Sequence, residues 1–142
     1  MITIKGEPPF LYYRGIVFTV EWYVDPAGRM KAKEYYDTLP AEDRKRLNDV
    51  VEYLADAPIG TRLPRTLYNL EDAESQIYAF KPRDHRFFNF MMLGAKIIIV
   101  NAYRKHSQQM TKKDKQVLKA AIEAKTSYLL RSNAGTYYDW FS

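Results

Sequence analysis

Two short basic segments hold the side chains of this sequence that are best suited to chemistry. They are Lys81, Arg83 and Arg86 in the first segment, and Arg104, Lys105 and His106 in the second. Lys and Arg stabilise a charged phosphate, and a His, or a Lys whose pKa is lowered, can take up or release a proton. Cleavage of RNA by its own 2′-hydroxyl needs a base, an acid and cations around the pentavalent phosphate. The residue types therefore favour RNA cleavage without a metal.

Other kinds of site find little support in the residue types. The chain has no Cys, which excludes a disulfide scaffold, a Cys nucleophile and a thiolate metal site. It has 2 His residues, too few for a His-rich zinc site, and no Gly-rich phosphate loop, nucleophile elbow or HExxH motif. We therefore expect no metal and no cofactor.

The composition is that of one basic, aromatic-rich domain. The chain has 142 residues, a formal net charge of +5 and 15% aromatic residues, including 12 Tyr. Positive charge and flat rings suit an anionic polymer, since cations neutralise phosphates and rings stack on bases. No apolar run approaches the roughly 20 residues that span a bilayer, and the N-terminus lacks signal-peptide features. These observations predict a cytoplasmic protein with no membrane partner.

The N-terminal half is predicted to hold one strand and a helical hairpin. Residues 1–15 form an irregular lead-in, because Pro8 and Pro9 prevent regular pairing. The β-branched and aromatic residues of Ile16–Val24 predict a strand. A helix is expected over Gly28–Leu39, and Pro40 suits the first turn of a second helix. The apolar spacing of that second helix is the clearest in the chain.

The C-terminal half is predicted to hold an antiparallel meander and a closing helix. After a polar stretch, Thr61–Glu74, three strands follow at Gln76–Lys81, Arg86–Leu93 and Lys96–Tyr103. A final helix begins at Thr111, with Asp114 in the capping-box position, and the aromatic tail TYYDWFS is expected to dock. The predicted fold is α+β, a small antiparallel sheet against the N-terminal hairpin, in the order β-α-α-β-β-β-α.

This order predicts that the two basic segments meet. Adjacent antiparallel strands bring the end of the first meander strand and the exit of the third to the start of the second, at one edge of the sheet. Two helices can cover one face of such a sheet and leave the other partly open. His85, in the turn, is expected to be exposed and without a role. Tyr103 either packs in the core or stacks on a base.

With these residues in place, the sequence resembles the RelE/ParE superfamily of bacterial toxins, closest to its HigB-like, phage-derived Gp49-like branch. The matching segments are LPAEDRKRLNDVVEYLAD, QIYAFKPRDHRFFNFMML, KIIIVNAYRKHSQQMTKKD and the helix Lys115–Leu130. The resemblance covers about residues 16–130 of a single domain, 1–142, and leaves the lead-in 1–15 and the aromatic tail 132–142 outside the core. Ala79 replaces the usual Glu, and Thr111 stands near a common Pro.

The resemblance implies a toxin of a type II toxin–antitoxin system. Such a toxin cleaves mRNA in the ribosomal A site and is held inactive by a cognate antitoxin, here expected to be a helix-turn-helix protein. Lys81, Arg83 and Arg86 would be phosphate clamps, and Arg104, Lys105 and His106 would stabilise charge and include a base or an acid. Which of them is the base stays open. The expected RNA-binding residues are Arg62, Arg65, Tyr103, Lys112 and Lys113.

Two other functions remain open at this point. A ParE-like member would act on DNA gyrase by protein contact, without catalysis. A degenerate member would only bind RNA or a partner. The dense basic clusters favour the hypothesis of RNA cleavage over that of gyrase poisoning, because a gyrase poison does not need a basic catalytic groove.

Overall fold

The computed structural model describes residues 6–141, without the side chains of Trp140 and Phe141. Within these residues, six strands and three helices follow one another, and a short 3-10 helix, Tyr137–Phe141, comes last. The elements are β1 (Leu11–Arg14), β2 (Thr19–Trp22), α1 (Lys31–Thr38), α2 (Ala41–Asp56), β3 (Tyr68–Asp72), β4 (Ile77–Phe80), β5 (His85–Met92), β6 (Lys96–Arg104) and α3 (Lys112–Asn133).

The strands form one mixed sheet in the order β1-β2-β6-β5-β4-β3. β2 and β6 run parallel, and every other neighbouring pair is antiparallel. The α+β class is confirmed, but the predicted order β-α-α-β-β-β-α and the small, purely antiparallel sheet are wrong. The parallel pair joins strands that are far apart in sequence, so no short connection dictates it.

The two strands missing from the prediction lie at the two edges of the sheet. β1 lies within the part of the chain predicted to be irregular. Both prolines precede this strand, so they do not prevent its pairing. β3 lies within the polar stretch and contains no β-branched residue. Edge strands pair on one side only, so their sequences need less β propensity than those of central strands. Residues 1–5 of the predicted lead-in lie outside the described residues.

Two predicted elements are longer than the real ones. The strand expected over Ile16–Val24 is shortened to β2, because the backbone N–H groups of Val17 and Phe18 donate to the carbonyl of Ala55 rather than to a strand. The first helix begins at Lys31 rather than Gly28. The carboxylate of Asp25 accepts hydrogen bonds from the backbone N–H groups of Ala27 and Arg29, which holds a turn there.

Helices cover both faces of the sheet. On one face, α1 and α2 pack through side chains such as Tyr36 and Val51 against a core that includes Phe87. On the other face, α3 packs through Ala121 and Tyr128 against a core that includes Phe88. The expectation that this second face stays partly open is therefore wrong over much of its length. The apolar stripe of α3 needs a partner, and the second face supplies it.

The aromatic tail docks onto the α3 side, as expected. Tyr137 is 1% exposed, and its hydroxyl accepts a 2.8 Å hydrogen bond from the backbone N–H of Val24. The hydroxyl of Tyr138 donates to Glu21, which is also buried. The rest of the predicted docking segment, the side chains of Trp140 and Phe141 and all of Ser142, lies outside the described residues. Among the described helices, none is long and apolar enough to cross a membrane.

Candidate functional site: a basic cleft at the end of β5 and β6

The pairing of β5 with β6 brings the two basic segments together. His85 lies opposite Arg104, and Arg86 lies opposite Tyr103. A shallow cleft of about 540 Å³ opens at this end of the sheet. It is lined by Arg83, Asp84, Arg86, Lys105, His106, Ser107 and Gln108. The predicted meeting of the segments is confirmed, and this basic cleft is the candidate site.

A bulge in β6 decides which side chains reach which face. Phe88 pairs with Asn101 and the next residue, Asn89, pairs with Ile99, so β6 contains one extra residue, Val100. An extra residue reverses the alternation of side chains beyond it. Asn101 therefore reaches α3, where its amide donates 2.9 Å to the carbonyl of Val117. Tyr103 follows on the same face and packs against Phe88.

Arg86 is a cation fixed by backbone carbonyls. Its Nη1 donates 2.8 Å hydrogen bonds to the carbonyls of Arg83 and His85. Its Nε is buried and has no hydrogen-bond partner among the residues that the structure describes. Arg86 forms no ion pair with any residue that the structure describes. Because carbonyls orient the guanidinium without neutralising it, Arg86 keeps its full charge at the cleft.

Two other arginines are largely neutralised. Arg83 forms ion pairs with Glu42 and Asp43 near the start of α2, the latter at 3.2 Å. The Nε of Arg104 donates 2.7 Å to Asp84, and this hydrogen bond holds the pKa of the Asp84 carboxyl below its usual value. The cleft is therefore less positive than a count of its basic residues indicates.

Lys105 and His106 follow β6 directly. Lys105 is half-buried and His106 is exposed. Neither side chain forms a hydrogen bond or an ion pair with the described residues. The backbone N–H of Lys105 donates 2.7 Å to the carbonyl of Asp84, which ties this segment to the turn before β5. Both side chains can therefore meet a ligand while their backbone stays in place.

Lys81 and Tyr103 lie beside the cleft rather than in its lining. The Nζ of Lys81 lies 3.5 Å from the carboxylate of Glu71 on β3. Burial raises the pKa of Tyr103 to about 12, with Asp114 and Glu71 adding to the rise and Arg86 opposing it. Tyr103 is half-buried against Phe88, and its phenol keeps its proton at neutral pH.

His85 is buried, so the expectation that it is exposed is wrong. Its Nδ1 lies 2.7 Å from the hydroxyl of Tyr35, and its Nε2 lies 2.9 Å from Asp43. Burial raises the pKa of Tyr35 to about 12. Side chains alternate along β5, so His85 lies on the same face as the buried Phe87. This alternation is the sequence signal that indicates a buried His85. The chain Tyr35–His85–Asp43 links α1, β5 and α2, and Asp43 also binds Arg83.

The other predicted RNA-binding residues lie elsewhere. Lys112 and Lys113 are exposed in the first turn of α3, outside the lining of the basic cleft. Arg62 and Arg65 line a separate groove of about 530 Å³, between the C-terminal end of α2 and the strands β3 to β5. The two openings share no lining residue. The predicted set is therefore split between two places.

No group of three or more His, Asp or Glu side chains within the described part of the chain is arranged to hold a metal ion. The chain matches no family model, and no curated protein is significantly similar to it in sequence.

Proposed function

We propose that this chain is the toxin of a type II toxin–antitoxin system, of the RelE/ParE superfamily and its HigB-like branch, and that it stops translation by cleaving mRNA on the ribosome. The observation that supports this most is the basic cleft, where β5–β6 pairing brings Arg86, which forms no ion pair with the described residues, to Lys105 and His106. Cations and an imidazole at one concave site are what metal-free RNA cleavage needs.

In this proposal the reaction is attack of a ribose 2′-oxygen on the adjacent phosphorus. The bond from the 2′-oxygen to phosphorus forms, and the bond to the 5′-oxygen breaks. His106 and Lys105 exchange protons with the 2′- and 5′-oxygens, since a side-chain imidazole or amine can accept and donate them. Arg86 stabilises the charge on the pentavalent phosphate. Arg83 joins it when a phosphate displaces Glu42.

The partners in this proposal are the ribosome with its mRNA and a cognate helix-turn-helix antitoxin. Lys81 acts as a second clamp beside the cleft, in exchange with Glu71. Tyr103 supplies a ring edge for a base, and its raised pKa keeps the phenol neutral. Lys112 and Lys113 extend the positive surface along the first turn of α3.

Induced expression with primer-extension mapping of mRNA ends tests the proposal. Wild type should arrest growth and produce ribosome-dependent cuts. Arg86→Ala should reduce cutting by about 100-fold, a typical cost of losing one donor to a charged transition state. Arg29→Ala is the matched control, because Arg29 is exposed, paired with Glu34 and outside the cleft.

Other outcomes would replace the proposal. Uncut mRNA with filamentation and DNA damage would indicate a gyrase poison, and unaffected growth would indicate a member that only binds RNA or a partner. Normal cutting by a His106→Ala, Lys81→Ala double variant would exclude His106 from proton transfer and Lys81 from phosphate binding.

A further inference from the structure

The groove that contains Arg62 and Arg65 has an apolar floor. Side chains of Phe18 and Leu54 form its base, and Leu70 and Met91 line it while remaining 39% and 37% exposed. Ile59 stands at the groove with 76% of its surface exposed. Single exposed apolar residues are normal on a surface, but several that line one concavity are typical of an interaction site.

The charge of this groove is positive and uncompensated. Arg62 and Arg65 are both exposed and form no ion pair with the residues described. The lining contains no Asp or Glu. The basic cleft is different, because carboxylates already neutralise Arg83 in its lining and Arg104, which pairs with the lining residue Asp84. A ligand of this groove should therefore bring its own negative charge.

The floor is held in place before any ligand arrives. The hydroxyl of Tyr68 donates 2.8 Å to the side-chain oxygen of Asn89, which is 0% exposed. The amide of Asn89 in turn donates 3.0 Å to the carbonyl of Phe87. A surface that needs no rearrangement loses less entropy when it binds.

The chemistry of the floor favours a protein segment over RNA. The rings of Tyr68 and Tyr78 stack on each other, with centroids 5.2 Å apart and planes 11° apart, so the faces that they turn to each other are not available to a base. The remaining exposed floor is aliphatic or thioether, from Leu70 and Met91. Such side chains gain most by burying apolar side chains of a partner.

We infer that this groove binds an acidic, amphipathic segment of a partner protein. Apolar side chains of the segment cover Leu70 and Met91, and its carboxylates pair with Arg62 and Arg65. The groove shares no lining residue with the basic cleft, so this inference does not rest on RNA cleavage. In this inference Arg62 and Arg65 recognise a protein partner, in place of the RNA-binding role predicted from the sequence.

Selection from a displayed library of random peptides, about 16 residues long or some four helical turns, tests the inference. The full chain is the bait, and Leu70→Glu is used for counter-selection. Enriched peptides should be amphipathic and rich in Asp and Glu. An absence of groove-dependent peptides, or enrichment of neutral or basic ones, would overturn the inference.

Affinities of the enriched peptides, measured by fluorescence anisotropy, then test the arginines. The double variant Arg62→Glu, Arg65→Glu should bind at least about tenfold more weakly. Arg46→Glu with Lys119→Glu makes the same charge change outside the groove, and Leu130→Glu places a Glu on exposed α3; both should bind within about twofold of wild type. Equal losses in these controls would mean that only net charge matters, which contradicts a groove site.

RNA binding by the same variants shows whether the basic cleft and the groove have different ligands. A single-stranded RNA of about 12 nucleotides should lose affinity in Arg86→Ala and keep it in the Arg62, Arg65 double variant. If the double variant weakens RNA binding as much as Arg86→Ala does, the groove belongs to the RNA path and the inference is wrong. If wild type binds no RNA while acidic peptides bind its groove, the RNA-binding part of the proposed function fails and this inference stands.

Discussion

Carboxylates, rather than the number of basic residues, decide how much charge a ligand meets at the basic cleft. Arg83 shares Glu42 and Asp43, and Arg104 is bound to Asp84. Among the described residues, the guanidinium of Arg86 forms hydrogen bonds with backbone carbonyls and no ion pair. These differences rank the arginines for phosphate binding in a way that the local sequence does not indicate.

Replacing the buried His85 should cost far more stability than replacing the exposed His106. His85→Ala leaves Tyr35 and Asp43 without the imidazole, and a lost hydrogen bond to a charged group costs about 1.5–3 kcal/mol. His106→Ala should change the free energy of unfolding by less than about 0.5 kcal/mol. Urea unfolding of the two variants measures the difference, and equal values would show that the Tyr35–His85–Asp43 chain does not support the fold.

At the scale of elements, α3 shows how local sequence can set a boundary. The side chain of Thr111 accepts a 3.1 Å hydrogen bond from the backbone N–H of Asp114, and the Asp114 carboxylate accepts one from the N–H of Thr111. The predicted capping box is therefore confirmed. It places the first turn of α3 close to Tyr103, whose pKa Asp114 helps to raise.

Thr111→Ala should destabilise the protein by about 1 kcal/mol, the usual cost of losing a side-chain N-cap. Thr126→Ala is the matched control, because Thr126 is exposed in the middle of α3 and its hydroxyl donates to the carbonyl of Ile122 within the same helix. Ala is the better helix former there, so stability should stay unchanged or rise slightly. Thermal unfolding of both variants measures these changes. The prediction is wrong if the midpoint temperature decreases equally in Thr111→Ala and Thr126→Ala.

Across the whole molecule, several tyrosines of the helices, the sheet and the tail are buried, and their burial makes stability depend on alkaline pH. Burial raises the pKa of Tyr35 and of Tyr103 to about 12, and it also raises the pKa of Tyr68 and Tyr137 above the usual value. Below about pH 10 these phenols are neutral in both the folded and the unfolded chain. Above that, the unfolded chain releases protons that the folded chain keeps.

Stability should therefore fall as pH rises from about 10 towards 12. Urea midpoints and tyrosinate absorbance measured across this range give the slope. Tyr103→Phe should make the fall shallower, because Tyr103 no longer titrates and its hydroxyl forms no hydrogen bond with the described residues. Tyr53→Phe, at a side chain that is 60% exposed, should leave the slope as in wild type. A wild-type urea midpoint that stays constant over this pH range would contradict the prediction.

Short-range patterns predict the parts of this molecule that depend on neighbours in sequence. The helix α2, the three strands β4 to β6 and the capping box of α3 lie close to their predicted positions. The meeting of the two basic segments is also predictable, because short connections force adjacent strands to pair antiparallel. The RelE/ParE resemblance and its RNA chemistry stay predictions that rest on these segments.

Only the tertiary structure decides which of those side chains are free to act. The carboxylates that neutralise Arg83 come from α2, 40 or more positions earlier in the chain, and the partners of His85 come from α1 and α2. The parallel pairing of β2 with β6 and the separate groove of Arg62 and Arg65 also depend on distant segments. Local sequence sets backbone preference and side-chain chemistry, whereas burial and charge pairing depend on contacts between segments that folding alone brings together.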